Sequence, residues 1–221
     1  MRHEEEKEEQ IALEVRQITY KSAIDFLLPR HYSGRKPQIK WAFGWFDDDG
    51  VLSAVCTFGK PASNSLCRGI CGDEYSANVY ELNRLCRVDG FVPPLSQFVG
   101  KCLRILKDEN IIVVSYSDTA MNHHGYIYQA CNFIYTGATV ARTDKYTAKG
   151  KHSRHYKNEE QNGYRKVRSS KHRYVYFCTK DKKLKSKWEQ ALRYKPQKYP
   201  KGDNNPDYKL GDYLQDKIIK A

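Results

Sequence analysis

Residues 79–118 carry the pattern of a strand, a helix and a second strand. The first strand is predicted from VYELNRLCRV, and the second from the apolar run IIVVSYSD, which is typical of a strand covered on both faces. Between them, LSQFVGKCLRILKDE repeats its apolar residues at helical spacing. A connection of this kind joins parallel neighbours through a crossover helix. The chain is therefore expected to contain a sheet that is partly parallel.

The segments around this crossover predict antiparallel strands and further helices. Asp49-Gly50 separates two strand-like runs, which is typical of a hairpin. Strands are also expected over 11–18, 133–140 and 173–178, and residues 60–77 are expected to form a loop. The predicted fold is α/β, a mixed and mostly antiparallel sheet with one parallel strand pair and flanking helices. One such arrangement splays the two parallel strands apart and seats a pantetheine-bearing cofactor between them.

Positive charge is concentrated near the C-terminus. The formal net charge is +12, and residues 145–201 hold 19 Lys/Arg against 4 Asp/Glu. Tyrosines and histidines interleave these charges, which favours a nucleic-acid partner over a merely soluble surface. Residues 1–144 are expected to form the catalytic core, and 145–221 a basic extension that adds strand 173–178 and a DNA-binding surface. The expected phosphate contacts are Arg35, Lys36, Lys151, Arg154, Arg165, Lys166, Arg168, Lys171 and Arg173.

The first predicted strand of the crossover carries charged residues. Strict alternation divides its side chains between the two faces of the strand. One face would hold Tyr80, Leu82, Arg84 and Cys86, and the other would hold Val79, Glu81, Asn83 and Leu85. A charge in a central strand is costly unless it is paired or used, so Arg84 is a candidate site residue, although a structural ion pair remains an alternative. The following helix starts near Leu95, and its free N–H groups would suit a phosphate.

Polar residues end the second strand of the crossover. Asp118 could act as a base or orient one, or it could cap the turn that follows. Tyr128 could donate a proton to a departing thiolate, or it could simply pack in a helix. His31, in PRHYSGRK, is expected to titrate near neutrality and to accept a proton, with a surface histidine as the alternative.

The cysteines and the hydropathy pattern limit other interpretations. Seven cysteines cannot all pair, and they are expected to be free thiols in a cytosolic chain. Cys67 and Cys71 lack a second ligand pair at zinc-finger spacing, so a zinc site is a minor alternative. No apolar stretch is long enough for a membrane span, and no secretory signal is recognisable.

Several ordered motifs resemble the Mom family of bacteriophage DNA-modification proteins and, more widely, the fold of GCN5-related N-acetyltransferases. The resemblance covers about residues 11–200. The glycine-rich loop of acetyltransferases is replaced here by CRVDGFVPPLSQF. The motifs that carry the resemblance are PRHYSG (29–34), ELNRL (81–85), PLSQF (94–98), SYSD (115–118), NHHGYIYQACNF (122–133) and HRYVYF (172–177).

The resemblance implies a specific activity, the conversion of adenine in double-stranded DNA to N6-(carbamoylmethyl)adenine, which protects phage DNA from restriction in the cytoplasm of the infected host. It implies acetyl-CoA or a related acyl-CoA as cofactor, and it leaves open a metal ion at His31 and Asp118. A CoA-dependent N-acetyltransferase of a protein or small amine, and a non-enzymatic nucleic-acid-binding module, remain alternatives. The family's catalytic positions fall on His31, Arg84, Asp118 and Tyr128, and Arg84, Asp118 and Tyr128 are expected to enter one pocket around the reacting centre. Its cofactor-binding positions fall on Ser96 and Ser115.

Overall fold

A seven-stranded sheet forms the centre of the computed structural model, which describes residues 14–31, 34–146, 163–203 and 218–220. Its strands, in chain order, are β1 (Glu14–Gln17), β2 (Trp41–Phe46), β3 (Leu52–Gly59), β4 (Val79–Arg87), β5 (Ile111–Asp118), β6 (Ile134–Ala138) and β9 (Lys171–Cys178). In space the order is β1-β2-β3-β4-β5-β9-β6. Only the β4–β5 pair in this sheet is parallel. The predicted mixed, mostly antiparallel sheet is therefore confirmed.

A second sheet is small and antiparallel. It contains β7 (Arg142–Lys145), β8 (Tyr164–Arg168) and β10 (Ile218–Lys220), with β8 in the middle. The chain then enters the main sheet as β9, which lies between β5 and β6. The predicted strand over 173–178 is part of β9. The basic C-terminal region therefore supplies an interior strand of the main sheet as well as β8 and β10 of the small sheet.

Helices cover both faces of the main sheet. They are α1 (Tyr20–Leu27), α2 (Asn64–Cys71), α3 (Leu95–Ile105), α4 (Tyr126–Ala130) and α5 (Lys182–Ala191). Phe98, Val99 and Cys102 of α3 pack in one core with Trp45, and α4 adds Tyr128 to it; this side is called the α3 face. The opposite side, which α1, α2 and α5 cover, is called the α1 face.

The α2 helix corrects a prediction, because residues 60–77 were expected to form a loop. Ser63 begins the helix by accepting the N–H of Leu66 on its Oγ at 3.3 Å. Cys67, Ile70 and Cys71 follow at helical spacing and are buried. The many small and polar residues around this short apolar stripe made the segment look like a loop. The helix is stabilised mainly by the packing of the stripe against the sheet.

A β-bulge in β4 also corrects the predicted alternation. Thr57 pairs with Arg84 while Phe58 pairs with Leu82, so Asn83 has no opposite residue in β3. Asn83 holds the bulge with its side chain, since its Oδ1 accepts a 2.6 Å bond from Thr57 Oγ1 and its Nδ2 donates to Gln38 O at 2.7 Å. The extra residue turns Arg84 onto the face that holds Glu81, which is the α1 face.

The parallel pairing of β4 with β5 ends early. It runs only from Val79–Ile112 to Leu82–Ser115, although β4 continues to Arg87 and β5 to Asp118. Beyond this point β4 stays with β3 and β5 stays with β9. The opening between the two strands is called the strand gap, and it corresponds to the splay predicted from the sequence.

Candidate active site

Ionisable side chains gather on the α1 face beside the strand gap. They come from β4, β5 and β9 and from the end of α1, and they are called the charged cluster. Alternation along β5 places Tyr116 and Asp118 on the face of the buried Ile112 and Val114. The members of the cluster are His31, Glu81, Arg84, Tyr116, Asp118 and Lys171.

Glu81 is a half-buried carboxyl of this cluster. Burial raises its pKa above the usual value, while the positive charges of Arg84 and Lys171 act in the opposite direction. Burial also raises the pKa of Tyr116, and the Glu81 carboxylate adds to that rise, so the two groups are close. A carboxyl whose pKa is raised toward neutrality is suited to general base catalysis. Glu81 was not predicted as a site residue, although its charge within a central strand was the available signal.

Arg84 is fixed by the backbone around the bulge. Its Nη1 donates to Asn83 O at 2.6 Å, and its Nη2 donates to Arg35 O at 3.4 Å. Its charge affects both Glu81 and His31, so the guanidinium lies near both groups. This position suits a group that stabilises negative charge in a reaction beside Glu81.

His31 is buried at the end of α1, where its backbone N–H donates to Leu27 O at 2.8 Å. Burial lowers its pKa to about 3, and the nearby Arg84 charge contributes to the decrease. The expectation that His31 titrates near neutrality is therefore wrong. A neutral imidazole of such low basicity is a hydrogen-bonding group here and a poor proton acceptor.

Asp118 is buried, and both of its oxygens are engaged. Its Oδ1 accepts from Ala120 N at 3.0 Å and from Ser169 Oγ at 2.5 Å, and its Oδ2 lies 3.3 Å from Lys171 Nζ. The structure thus realises the alternative role, the capping of the turn that follows β5, together with an ion pair. This geometry makes Asp118 a residue that positions Lys171.

The two predicted cofactor-binding serines have different environments. Ser115 Oγ donates to Leu82 O at 3.1 Å, so this hydroxyl bonds across the last residue pair of the parallel strands. Ser96 is the second residue of α3 and lines a groove of about 300 Å³ that also contains Arg104 and Lys107. Of the two, Ser96 is therefore the one beside space for a ligand.

Tyr128 lies on the α3 face, away from the charged cluster. Its ring contacts Phe133 and Tyr174 with centroid distances of 5.4 and 5.3 Å. Arg84 and Asp118 therefore share the α1 face, and the prediction that all three side chains enter one pocket is wrong. The sheet separates Tyr128 from the other two except where the strand gap opens.

The described residues do not form a ligand set for the metal ion that the resemblance left open at His31 and Asp118. Among them, no group of three His, Cys, Asp or Glu is arranged to hold a metal ion. His123 lies near Asp118, but burial lowers its pKa to about 4. The Asp118 charge opposes this decrease, and the His124 charge adds to it. Cys67 and Cys71 are buried free thiols on α2.

The predicted phosphate contacts divide into exposed and internal groups. Arg35 and Lys36 are exposed. Burial lowers the pKa of Lys166, and the charges of Arg168 and Arg35 add to this, so the small sheet brings cations toward Arg35. Arg168 forms a 2.8 Å ion pair with Asp144.

Four other predicted contacts are Arg165, Arg173, Lys151 and Arg154. Arg165 is held by Thr143, to which its Nε donates at 2.7 Å. Arg173 is buried, donates to Thr136 Oγ1 at 2.9 Å and lies 3.3 Å from the ring centroid of Tyr194, so its prediction as a surface contact is wrong. Lys151 and Arg154 lie outside the described residues.

The separated parallel pair and the helices on both faces agree with the fold that the resemblance implies. Three solved structures of low sequence identity are similar to this chain. A Bacillus subtilis acetyltransferase in complex with CoA is 13% identical, with 75% of this chain and 98% of that chain covered and a TM-score of 0.43. A putative acetyltransferase from Acinetobacter baylyi is 10% identical (75% and 91% covered, TM-score 0.48), and the ribosomal-protein-S18-alanine N-acetyltransferase from Escherichia coli is 6% identical (76% and 95% covered, TM-score 0.44). Because these TM-scores lie below 0.5, the fold assignment rests on the strand order itself.

The chain belongs to the Mom protein family, whose sequence model matches residues 12–201. This confirms the resemblance, and it supports the predicted class, a transferase. No individual curated protein matches the chain. Within the described residues, none of the helices has the length and apolar character needed to cross a membrane.

Proposed function

We propose that this protein is a transferase that modifies the exocyclic N6 amino group of adenine in phage DNA, in the cytoplasm of the infected bacterium. The product would be N6-(carbamoylmethyl)adenine, as the family resemblance implies. The observation that carries the proposal is the half-buried Glu81 carboxyl of β4, which lies beside the strand gap and within reach of the positive charges of Arg84 and Lys171. This arrangement supplies a base together with positive charge, which the activation of a weakly nucleophilic amine requires.

The chemistry of adenine explains why both parts are needed. The N6 lone pair is delocalised into the ring, so the amine attacks only as its proton leaves. The Glu81 carboxylate accepts that proton, and Arg84 and Lys171 stabilise the negative charge that develops on the base. Asp118 holds Lys171 in place through the 3.3 Å ion pair. His31 stays neutral and lines the site with a polar group that does not add to the positive charge.

The donor side of the reaction is assigned to the α3 face. Gln97 and Phe98 both donate to Pro94 O, at 2.9 and 3.3 Å, which leaves the N–H groups of Leu95 and Ser96 without an intrahelical acceptor. These groups and the neighbouring groove fit the phosphate end of an acyl-CoA. When bound, the donor supplies the electrophilic carbon. Because the product is attached through a methylene carbon, the donor has to carry a leaving group on that carbon, which departs as the N6–C bond forms; a plain acyl-CoA thioester would instead give N6-acyladenine and release the CoA thiol.

Exposed cations support DNA as the acceptor. Arg35 accepts a bond from Arg84 on its backbone oxygen, so Arg35 and Lys36 lie directly beside the charged cluster. No described carboxylate pairs with either side chain. Contacts of this kind to phosphates give affinity without sequence information. A target adenine would have to leave the base stack to reach Glu81, at a cost of a few kcal/mol that phosphate contacts can offset.

Nucleoside mass spectrometry tests the proposal. Plasmid DNA is recovered from cells that express the wild-type chain, Glu81→Gln or Glu109→Gln, the last being an exposed residue at the far end of the α3–β5 connection. We expect modified adenosine with the wild type and with Glu109→Gln, and at least a 100-fold decrease with Glu81→Gln. Unmodified DNA in cells that contain soluble, folded wild-type protein would refute the proposal.

A CoA-dependent N-acetyltransferase of a protein or small amine is the second candidate. It is favoured by the same strand gap and by the free N–H groups at the start of α3. Incubation with isotopically labelled acetyl-CoA distinguishes the two functions. Label in a protein or polyamine fraction, with none in DNA, would favour this candidate.

A further inference from the structure

Two lysines lie at the end of the main sheet where β2 begins and β3 ends, and the proposed reaction does not use them. Lys40 immediately precedes β2, and Lys60 immediately follows β3. Together with Tyr20 and residues 37–39 they line a surface groove of about 370 Å³, which is called the lysine groove. The groove lies beside Val79, where β4 begins, whereas the strand gap opens toward the other end of β4.

Both ammonium groups of the lysine groove are held against the ring of Tyr80. Lys60 Nζ lies 3.8 Å from the centroid of this ring, and it donates to Val79 O at 3.1 Å and to Ala77 O. Lys40 Nζ lies 5.1 Å from the same centroid and donates to Tyr80 OH at 3.2 Å. Neutral groups thus fix two positive charges as neighbours on one aromatic ring.

The two charges have no carboxylate partner in the described part of the chain, where every ion pair is made by other side chains. An ammonium group has three N–H donors, of which Lys60 uses two and Lys40 uses one in the contacts above. Neighbouring cations repel one another, and an anion bound beside both of them offsets that repulsion. The groove therefore fits an anionic group with several oxygen acceptors, such as a phosphate.

The segment 34–40 connects the lysine groove with the charged cluster. At one end of the segment, the backbone oxygen of Arg35 accepts a bond from the cluster at 3.4 Å. Further along, Gln38 O lies directly over Gly59, where an added Cβ would overlap it. Gly59 pairs with Glu81 across β3 and β4, and paired residues share a face of the sheet. The segment therefore crosses the α1 face beside Glu81 before it reaches the groove.

The length of this segment sets the distance between the groove and the site of reaction. Lys40 is five positions after Arg35, so their Cα atoms are at most about 17 Å apart. Successive phosphates of one DNA strand rise about 3.4 Å each along the helix axis. A strand that delivers an adenine to the charged cluster therefore brings a phosphate to Lys40 within about five nucleotides.

We propose that the lysine groove binds one backbone phosphate of the DNA strand that carries the target adenine, at most about five nucleotides from the modified base. This inference rests on the proposed function, from which it takes DNA as the acceptor. Lys40 and Lys60 donate to the phosphate oxygens, so the contact adds affinity without sequence information. Arg35 and Lys36 hold the strand beside the reacting base, and the lysine groove holds it at the other end of segment 34–40.

The salt dependence of binding to a short DNA duplex, measured by fluorescence anisotropy, tests the lysine groove. Lys40→Gln/Lys60→Gln should reduce the slope of log K against log salt by about 1, because one phosphate contact is lost. Lys40→Arg/Lys60→Arg keeps both charges and should keep the slope. Adding Arg35→Gln/Lys36→Gln to the first variant should reduce the slope by about 3 in total, because these residues contact other phosphates.

A single substitution guards against a loss of folding, since Lys60 also donates to two backbone carbonyls. Lys40 is exposed, so Lys40→Gln should keep the Tm of the wild type and weaken DNA binding about ten-fold at low salt. Lys182→Gln/Lys183→Gln is the matched control at the exposed start of α5, and it should leave the slope unchanged.

Three results would overturn the assignment. If Lys40→Gln binds DNA as tightly as the wild type and the slope of the double variant is also unchanged, no phosphate occupies the groove. If Lys182→Gln/Lys183→Gln reduces the slope equally, only net charge matters. If Lys40→Gln/Lys60→Gln loses affinity for polyglutamate while its DNA binding is unchanged, the groove binds acidic polypeptides instead.

The proposed function can fail independently of the lysine groove. If the slope depends on Lys40 and Lys60 while plasmid DNA stays unmodified, the groove stands as a DNA contact and the adenine assignment falls. If Lys40→Gln/Lys60→Gln modifies DNA as the wild type does and its slope is unchanged, the adenine assignment stands and the role of the groove is refuted.

Discussion

The buried imidazole of His31 should make the stability of the protein depend on pH in a measurable way. His31 is 8% exposed, and burial together with the neighbouring Arg84 charge lowers its pKa from 6.5 to about 3. The unfolded chain therefore binds this proton much more tightly than the folded chain does. The stability contributed by a neutral His31 is fully present above pH 6.5 and is lost as the pH falls from 6.5 toward 3.

The magnitude follows from the linkage between protonation and folding. At pH 5 the unfolded chain is 1.5 pH units below the pKa of its histidine, while His31 in the folded chain is still neutral. At about 1.4 kcal/mol per unit, the free energy of unfolding should be about 2 kcal/mol lower at pH 5 than at pH 8 because of His31 alone.

Urea-induced unfolding of the wild type and of His31→Gln between pH 8 and pH 5 measures this contribution. His123, whose pKa is also low at about 4, contributes equally in both proteins and cancels in the comparison. We expect the unfolding free energy of the wild type to fall about 2 kcal/mol more than that of the variant over this range. Two parallel curves would refute the assignment of a buried, neutral His31.

Two further perturbations test the packing at α4 and the surface near the site. Gly125 has φ +73° and an added Cβ would lie 2.5 Å from the Tyr174 ring, so Gly125→Ala should cost about 3 kcal/mol or more in a denaturation assay. Gly50→Ala, with φ +72° and open space, should cost about 1 kcal/mol; equal losses would contradict the steric argument. The double variant Arg35→Gln/Lys36→Gln should reduce the slope of log K against log salt for duplex DNA by about 2, as measured by fluorescence anisotropy. The matched control is Lys182→Gln/Lys183→Gln at the exposed start of α5. An equal decrease in the salt slope of this control would show a non-specific charge effect.

The local parts of the fold were predictable because their signals lie within short segments. The apolar run of β5, the amphipathic α3 and the Asp49-Gly50 hairpin all appear where the sequence places them. The α2 helix was missed because its apolar stripe is short and its stability comes from packing under the sheet. Residue type and spacing thus predicted elements with strong local patterns, and tertiary contacts decided the weak ones.

The site was harder to predict because the roles depend on burial and on partners. Arg84 lies in the cluster as expected, but Asp118 has both oxygens engaged. Glu81 was overlooked because only the fold shows that its half-buried carboxyl lies near the charges of Arg84 and Lys171. Tyr128 was assigned to the same pocket, yet α4 packs on the other face of the sheet.

The bulge at Asn83 is the feature from which the chemistry of β4 follows. Without it, strict alternation would direct Arg84 into the apolar core of the α3 face, where an unpaired guanidinium would cost several kcal/mol. With it, Glu81 and Arg84 lie on the same face, three residues apart in one strand, which a regular strand does not allow. The two hydrogen bonds of Asn83, to Thr57 and Gln38, tie this irregularity to β3 and to the segment that follows His31. One unpaired residue thus brings a base and a cation together at the point where the sheet opens.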